Sequence, residues 1–356
     1  MSSAVFCYFS SVTETQATDP SAPRRRSPTA ADVAERAGVS ISTVSKALSG
    51  KGAVRHETRE RIVEAARELR YQTNAVAASL LAGRTNTVGV ITSDRFGRLT
   101  APVLLGATEA LAQEGVALLL CDGRGDRIRE QFFVDSFLQR RVDGILVTGA
   151  GIFGRESVGR DLSSPTVYAM AWSDDPHDVS VVPDDAAGTE AAVRHLLATG
   201  RRRLAFVSGR WDDASRVRLN RTTDVLEGQG HSLVHPPLLG QWTEGWGRQA
   251  AQQLIRSGIE FDGVVCGNDQ IARGVAESLR DAGIDVPHQV GVVGFDNWDV
   301  MVDACRPPLT SVDLGLYDVG QIAARLLLDA MGGQQLEGGV RRTPCHLVPR
   351  ESTATP

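Results

Sequence analysis

Near residue 86 the spacing of apolar side chains changes, and that change restricts the chain to a two-part architecture. Before it, apolar residues recur at three- and four-residue intervals in short stretches, the pattern of small amphipathic helices. After it, apolar runs at 88–92, 117–121, 144–148, 166–171, 179–182, 204–208, 263–266 and 291–295 alternate with helical stretches. Strands that are apolar on both faces and separated by helices belong in parallel sheets covered on both sides. Eight such strands are more than one doubly wound sheet carries comfortably, so two similar lobes are expected, with the halves meeting near Gly200. The expected fold is thus a small all-α module followed by an α/β domain of two lobes, each a doubly wound parallel sheet.

Charge divides the same way. The 356 residues carry a net charge of −5, but positions 24–84 hold 12 Lys or Arg against 6 Asp or Glu, a net of +6 that leaves −11 on the rest. A basic module joined to an acidic one suits a protein that sets one end on phosphate and keeps the other off it. The five cysteines (Cys7, Cys121, Cys266, Cys305 and Cys345) form no ligand-spaced cluster, so neither a disulfide framework nor a zinc site is expected. The apolar run at 4–9 is too short for a signal sequence or membrane span, which makes a cytoplasmic location the expectation. Residues 1–27, rich in Ser, Thr, Ala and Pro without periodicity, are expected to be a disordered tail.

Within the basic module, Thr29 can cap a first helix with Asp32 in its first turn, and Gly38 can close that helix in a left-handed turn. Ser40 can then cap a second helix whose Val44, Ala47 and Leu48 face Val33, Ala34 and Ala37 of the first. This is a helix-turn-helix. Ser42 and Lys46, four apart, fall on the outer face, where short polar and cationic groups suit base edges in a DNA major groove. Thr43 and Ser45 are placed for flanking phosphates and Ile41 for a thymine methyl. A third helix, about 57–69, is expected to complete the core through Ile62, Val63, Ala66 and Leu69, and a short Ala-rich helix comes next at 74–81.

The stretch DVAERAGVSISTVSKALSG, with TRERIVEAARELRYQTNAVAASLLAGRTNTVGVI after it, closely resembles the lactose-repressor (LacI/GalR) family of bacterial regulators. The resemblance continues in order through RRVDGILVTG, HLLATGRRRLAFVSG, VVCGNDQIARGV, VGVVGFDN and LVPREST, covering residues 29–353. It implies a dimer on a pseudo-palindromic operator in double-stranded DNA, with higher oligomers open. The helix beginning at Asn74 would then enter the minor groove, with Leu80 as the wedge between base steps and Ala77 beside it. Three positions depart from the family pattern: Thr73 stands where proline is usual, Ala78 where arginine is usual, and Arg70 where glycine often ends the third helix.

In two-lobed α/β folds, ligands sit beyond the carboxyl ends of the strands, where loops of both lobes meet. That rule selects the loop of Asp94 and Phe96, residues 209–218, Asn268 with Asp269, and Asp296. By resemblance, Arg218, Asn268 and Asp296 occupy positions that commonly bond sugar hydroxyls, and Trp242 one that often supplies an aromatic face. The implied effector is a sugar or related metabolite, and relief of repression is the expected response. Asp269 and Asp296 are equally suited to capping the helices or turns after their strands, Trp211 and Trp242 to a core, and the run at 201–203 to a solvated turn. The sequence holds no phosphate loop, GxSxG, HExxH or strand leading into GxGxxG, and the adjacent pairs Asp174/Asp175 and Asp184/Asp185 point apart in an extended chain. No catalysis, cofactor or metal is expected. The expected domains are a headpiece at 28–72, a hinge helix and linker at 73–86, and the lobed domain at 87–353. Within the last, lobe 1 takes 87–200 and 314–342, and lobe 2 takes 201–313 and 343–353.

Overall fold

A computed structural model describes residues 28–48, 53–71, 83–94, 97–160 and 162–354, in two units that divide at Leu81 and Ala82. The expected tail, the hinge helix with Asn74, Ala77 and Leu80, the departures at Thr73 and Ala78, and Phe96 all lie outside the described residues.

The first unit is three helices, α1 (Ala30–Ala37), α2 (Ile41–Leu48) and α3 (His56–Glu68). Their shared core is Val33, Ala34, Ala37, Val44, Ala47, Ile62, Ala65 and Ala66, with Leu48 and Leu69 packed against it. Val63 departs from expectation, being 50% exposed. The buried face of α3 runs 62, 65, 66, 69, the i, i+3, i+4, i+7 stripe, and Val63 lies about 100° off it. Arg36 and Glu68 tie α1 to α3 at 2.7 Å on the outside.

The second unit holds two six-stranded sheets. The first contains β1 (Thr87–Thr92), β2 (Ala117–Asp122), β3 (Gly144–Thr148), β5 (Thr166–Ala169), β7 (Val179–Pro183) and β13 (Gly339–Thr343) in the order β13-β7-β5-β3-β1-β2. The second contains β8 (Leu204–Ser208), β9 (Leu238–Leu239), β10 (Gly263–Cys266), β11 (Gly291–Phe295), β12 (Thr310–Asp313) and β14 (His346–Val348) in the order β14-β12-β11-β10-β8-β9. Two-residue strands β4 (Gly154–Arg155) and β6 (Trp172–Ser173) pair separately. All these pairings are parallel except β12 with β14. Every residue of β3, β7, β8, β10 and β11 is buried, as sheets covered on both faces require, whereas β2, at an edge, alternates toward solvent.

The covering helices are α4 (Thr100–Gln113), α5 (Arg127–Gln139) and α11 (Leu316–Met331) on the first lobe. The second lobe carries α6 (Asp185–Ala198), α7 (Asp213–Glu227), α8 (Glu244–Arg256) and α9 (Asp269–Asp281), with the single-turn α10 (Asp299–Val302) after β11. Each lobe brings one helix pair into backbone contact through glycines. A Cβ on Gly106 or Gly320 would lie 2.0 Å from a carbonyl oxygen of the facing helix, and one on Gly247 or Gly274 would lie 2.2 or 2.1 Å away.

The lobes exchange chain earlier than expected. Helix α6 packs on α7, β12 and β14, so the first crossing comes between β7 and Asp185 rather than near Gly200. The chain recrosses between β12 and α11 and again between β13 and β14. All three crossings leave the neighbouring edges β7/β13 and β12/β14, which makes a three-stranded hinge on one side of the cleft. Arg201 also corrects an expectation. It is 5% exposed, not a solvated turn residue, and donates to the carbonyls of Pro287 at 2.7 Å and Thr353 at 3.3 Å, anchoring the C-terminal segment.

Candidate functional site

Two surfaces carry the sequence-predicted residues. On the headpiece, Thr29 and Asp32 close a capping box: the Thr29 backbone N–H donates to Asp32 Oδ2 at 2.6 Å, and the Asp32 N–H to Thr29 Oγ1 at 3.4 Å. The Thr29 hydroxyl is therefore engaged within its own helix start. Gly38 turns the chain at φ 66°, a conformation that favours glycine because a Cβ would crowd the following carbonyl. Ser40 then caps α2, accepting from the Thr43 N–H at 3.2 Å, and its hydroxyl lies 2.8 Å from those of Ser42 and Thr43. Ile41 (54% exposed), Ser42, Ser45 and Lys46 stand outward while Val44 and Ala47 are buried. Among the described residues Lys46 has no ion-pair partner, and no acid of α2 neutralises it. An apolar and a cationic group thus flank hydroxyls on one short helix face.

The second surface is a cleft of about 280 Å³ between the lobes. Asp94, Arg98 and Phe153 line it from lobe 1, and Asp212, Trp242, Arg218, Asn268 and Asp296 from lobe 2. The cleft lies at the carboxyl ends of the strands, where the fold rule puts it. Trp242 is wedged against the strand-end glycines: a Cβ at Gly209 would meet its ring at 2.2 Å and one at Gly267 at 2.9 Å. Its indole N–H donates to Asp212 at 3.0 Å, and Asp212 also caps α7.

Arg218 is 3% exposed. Its Nε and one terminal nitrogen donate to Asp185 Oδ1 at 3.2 and 2.9 Å, the other terminal nitrogen donates to the Gly267 carbonyl, and the guanidinium lies 4.3 Å from the Phe295 ring centroid. Burial works to lower the Arg218 pKa, and the Asp185 and Asp296 charges more than offset it, so the group stays cationic. Asn268 caps α9 by accepting from the Ile271 N–H at 2.8 Å, while its buried amide nitrogen meets no protein acceptor. The Asp94 carboxylate folds back on its own turn, accepting from the Thr100 N–H at 3.4 Å.

Neither acid of the Asp269/Asp296 pair caps a helix. Asp269 accepts from the Trp298 N–H at 2.8 Å and the Ser311 hydroxyl at 2.5 Å. Burial first, then the charge of Asp296, pushes its carboxyl well above the ordinary value. Asp296 accepts instead from Arg98 of the opposite lobe at 2.5 Å.

The geometry joins a helix-turn-helix with an exposed polar face to a two-lobed domain whose cleft holds an unspent buried donor. Residues 29–74 match the bacterial regulatory proteins of the lacI family, and residues 193–353 match the periplasmic binding protein-like domain. The HTH-type transcriptional repressor CytR of Escherichia coli K12 is 30% identical over 326 residues, spanning 90% of this chain and 95% of CytR. The chain belongs to the LacI family. Among solved structures, the lac repressor dimer bound to operator and the anti-inducer ONPF is similar at a TM-score of 0.77 and 26% identity, over 92% of this chain and 99% of that one. The transcriptional regulator CelR in complex with cellobiose is similar at 0.65 and 28%, over 91% and 99%. This LacI-family protein is a sequence-specific DNA-binding transcriptional regulator under effector control, and the family's proteins are not enzymes. No described helix is long and apolar enough to cross a membrane.

Sequence reasoning does not single out Arg98 and Phe153 of this regulator's cleft, or Asp185 behind Arg218. Asp185 reads from the sequence as half of an extended pair, yet it opens α6 after the Asp184 cap and is 4% exposed against Arg218. The cap-then-acid start of that helix is a readable signal. Arg98 and Phe153 line the cleft, as do Arg210 and Asp212 of the 209–218 loop that the crevice rule selects, and Arg98 lies just past the end of β1. Trp211 is 58% exposed and belongs to no core.

Proposed function

We propose that this regulator is a homodimeric repressor that binds a pseudo-palindromic operator and is released by a sugar held in the inter-lobe cleft. The observation that carries the effector reading is the buried amide of Asn268, without a protein acceptor, beside Arg218 and the face of Trp242. An unspent buried donor costs stability until a ligand oxygen meets it, and a planar aromatic beside donors and a carboxylate suits a polyol. CelR with cellobiose and the lac repressor with ONPF lend the same chemistry by likeness.

On the headpiece, Ser42 and Lys46 read base edges, with Ile41 against a thymine methyl; Ser40, Thr43, Ser45 and the α1 terminus at Thr29 lie along the phosphates. Asn74, Ala77 and Leu80 are assigned to the minor groove by resemblance alone. Asp94 and Phe96 are assigned to the lobe 1 side of the effector.

Calorimetric titration with a panel of neutral mono- and disaccharides tests the effector reading. A binding sugar should lose roughly tenfold or more in affinity with Asn268→Ala, as a lost buried hydrogen bond predicts. Equal affinity in the variant, or no binding by any sugar, would contradict it.

A further inference from the structure

Arg98 begins in lobe 1, in the turn before α4, but its guanidinium belongs to lobe 2. One terminal nitrogen donates to Asp296 at 2.5 Å, the other to Gln270 at 2.8 Å, and the carbon lies 5.4 Å from the Trp298 ring centroid. The pair is largely out of water, at 20% and 6% side-chain exposure, so salt and solvent weaken it little. The Asp296 charge disfavours a second negative charge on the buried Asp269, and Arg98 is the cation that reaches across the cleft to Asp296.

The same pair lines two cavities. On one side is the 280 Å³ effector cleft, and on the other a space of about 390 Å³ beside the hinge that Asp299, Asp313 and Asp318 help to line. A guanidinium displaced from Asp296 would have an acidic receptor on its far side. Two such resting places for one side chain make a two-state element.

We propose that Arg98 is a built-in competitor of the effector: it occupies the Asp296 carboxylate and latches the lobes, and a ligand hydroxyl that takes Asp296 displaces it toward the hinge-side cavity. This deepens the effector reading above and rests on it. It makes Arg98 specificity-determining, because a ligand succeeds only by supplying a donor good enough to replace a charged one. It also gives the coupling a physical carrier, since the group that leaves Asp296 is the one holding the lobes together.

The test uses the full-length protein, Arg98→Met, which keeps the aliphatic stem, and Arg98→Lys, which keeps the charge but not the two-pronged reach. The sugar panel is titrated calorimetrically into each. The ligand-ready state of a latched protein is a minor one, so removing the latch should tighten a binding sugar by about tenfold or more. Wild type should bind weakest, Arg98→Lys between, and Arg98→Met tightest. Unchanged or weaker binding to Arg98→Met overturns the proposal, because Arg98 would then be a bystander or an effector ligand. If no sugar binds any of the three, the carbohydrate reading fails, and the latch is judged on the unliganded proteins by hydrogen–deuterium exchange. Arg98→Met must then exchange faster in peptides from both lobes around residues 98 and 296, and an unchanged exchange pattern in either overturns it.

Discussion

Replacing Asp185 with Asn removes the hydrogen-bonded countercharge of a guanidinium that is almost wholly out of water. Arg218 and Asp185 are 3% and 4% exposed, and the pair is joined at 2.9 and 3.2 Å. Breaking a buried pair by neutralising one partner costs about 3–5 kcal/mol, mostly the desolvation of the stranded charge. For a domain of this size that is a loss of roughly 6–20 °C in melting temperature. The reciprocal change is predicted to be milder. Arg218→Met strands a carboxylate, and a carboxylate can take up a proton where a guanidinium cannot. Burial already pushes the Asp185 carboxyl up, with Arg218 pulling it the other way, so deleting Arg218 raises it further. An acid whose folded pKa lies above its unfolded value holds its proton better in the folded state. Its contribution is therefore present at low pH and lost as pH rises from the unfolded value toward the folded one. Differential scanning calorimetry at neutral and mildly acidic pH checks both parts. Asp185→Asn should melt lowest at each pH, and Arg218→Met should recover on acidification. A melting point for Asp185→Asn within about 2 °C of wild type would refute the reasoning, since it would put the cost below 1 kcal/mol.

Ile62→Ala should destabilise the headpiece by about 2–5 kcal/mol while Val63→Ala changes it by less than about 1 kcal/mol, read by hydrogen exchange of headpiece peptides in the whole chain. Gly38→Ala should cost the headpiece about 1–2 kcal/mol, because the residue holds φ 66°, with the same readout. His195 sits 2.7 Å from the Thr353 hydroxyl, and burial, then the Arg201 charge, lowers its pKa below 6.5. The unfolded chain then binds the proton more readily, so stability should fall as pH drops below that value, and His195→Gln should flatten the slope in urea titrations across pH.

The parts of the fold set by local chemistry are legible in the sequence. Continuous apolar runs give β3, β8, β10 and β11 with the bounds the structure shows, because strands buried on both faces have no alternation to mislead. The caps at Thr29 and Ser40 and the turn at Gly38 are readable because each satisfies backbone groups within three or four residues. Long-range assembly is only partly legible. Edge strands β13 and β14 escape notice because the exposed Arg341, Arg342 and His346 break their apolar pattern. The lobe crossing reads too late because α6 looks alike whichever sheet it covers, and only its packing on α7, β12 and β14 decides. In the cleft, the sequence points to Arg218, Asn268, Trp242 and Asp296 but not to Arg98 or Asp185. Those two act through partners 198 and 33 residues away, which no local pattern reports.

The central claim is that one molecule in the inter-lobe cleft and DNA on the headpiece bias a shared equilibrium. Linkage makes that claim numerical: the factor by which effector changes DNA affinity must equal the factor by which DNA changes effector affinity. The measurement is a pair of titrations on one preparation at fixed salt, a fluorescence anisotropy isotherm on a duplex selected by this protein, with and without saturating effector, and a calorimetric effector isotherm with and without saturating duplex. The account predicts the same factor from both, with DNA binding weakened by effector, and weakened again in Lys46→Ala while cleft binding is spared. A ligand that fills the cleft and leaves DNA affinity unchanged would contradict it.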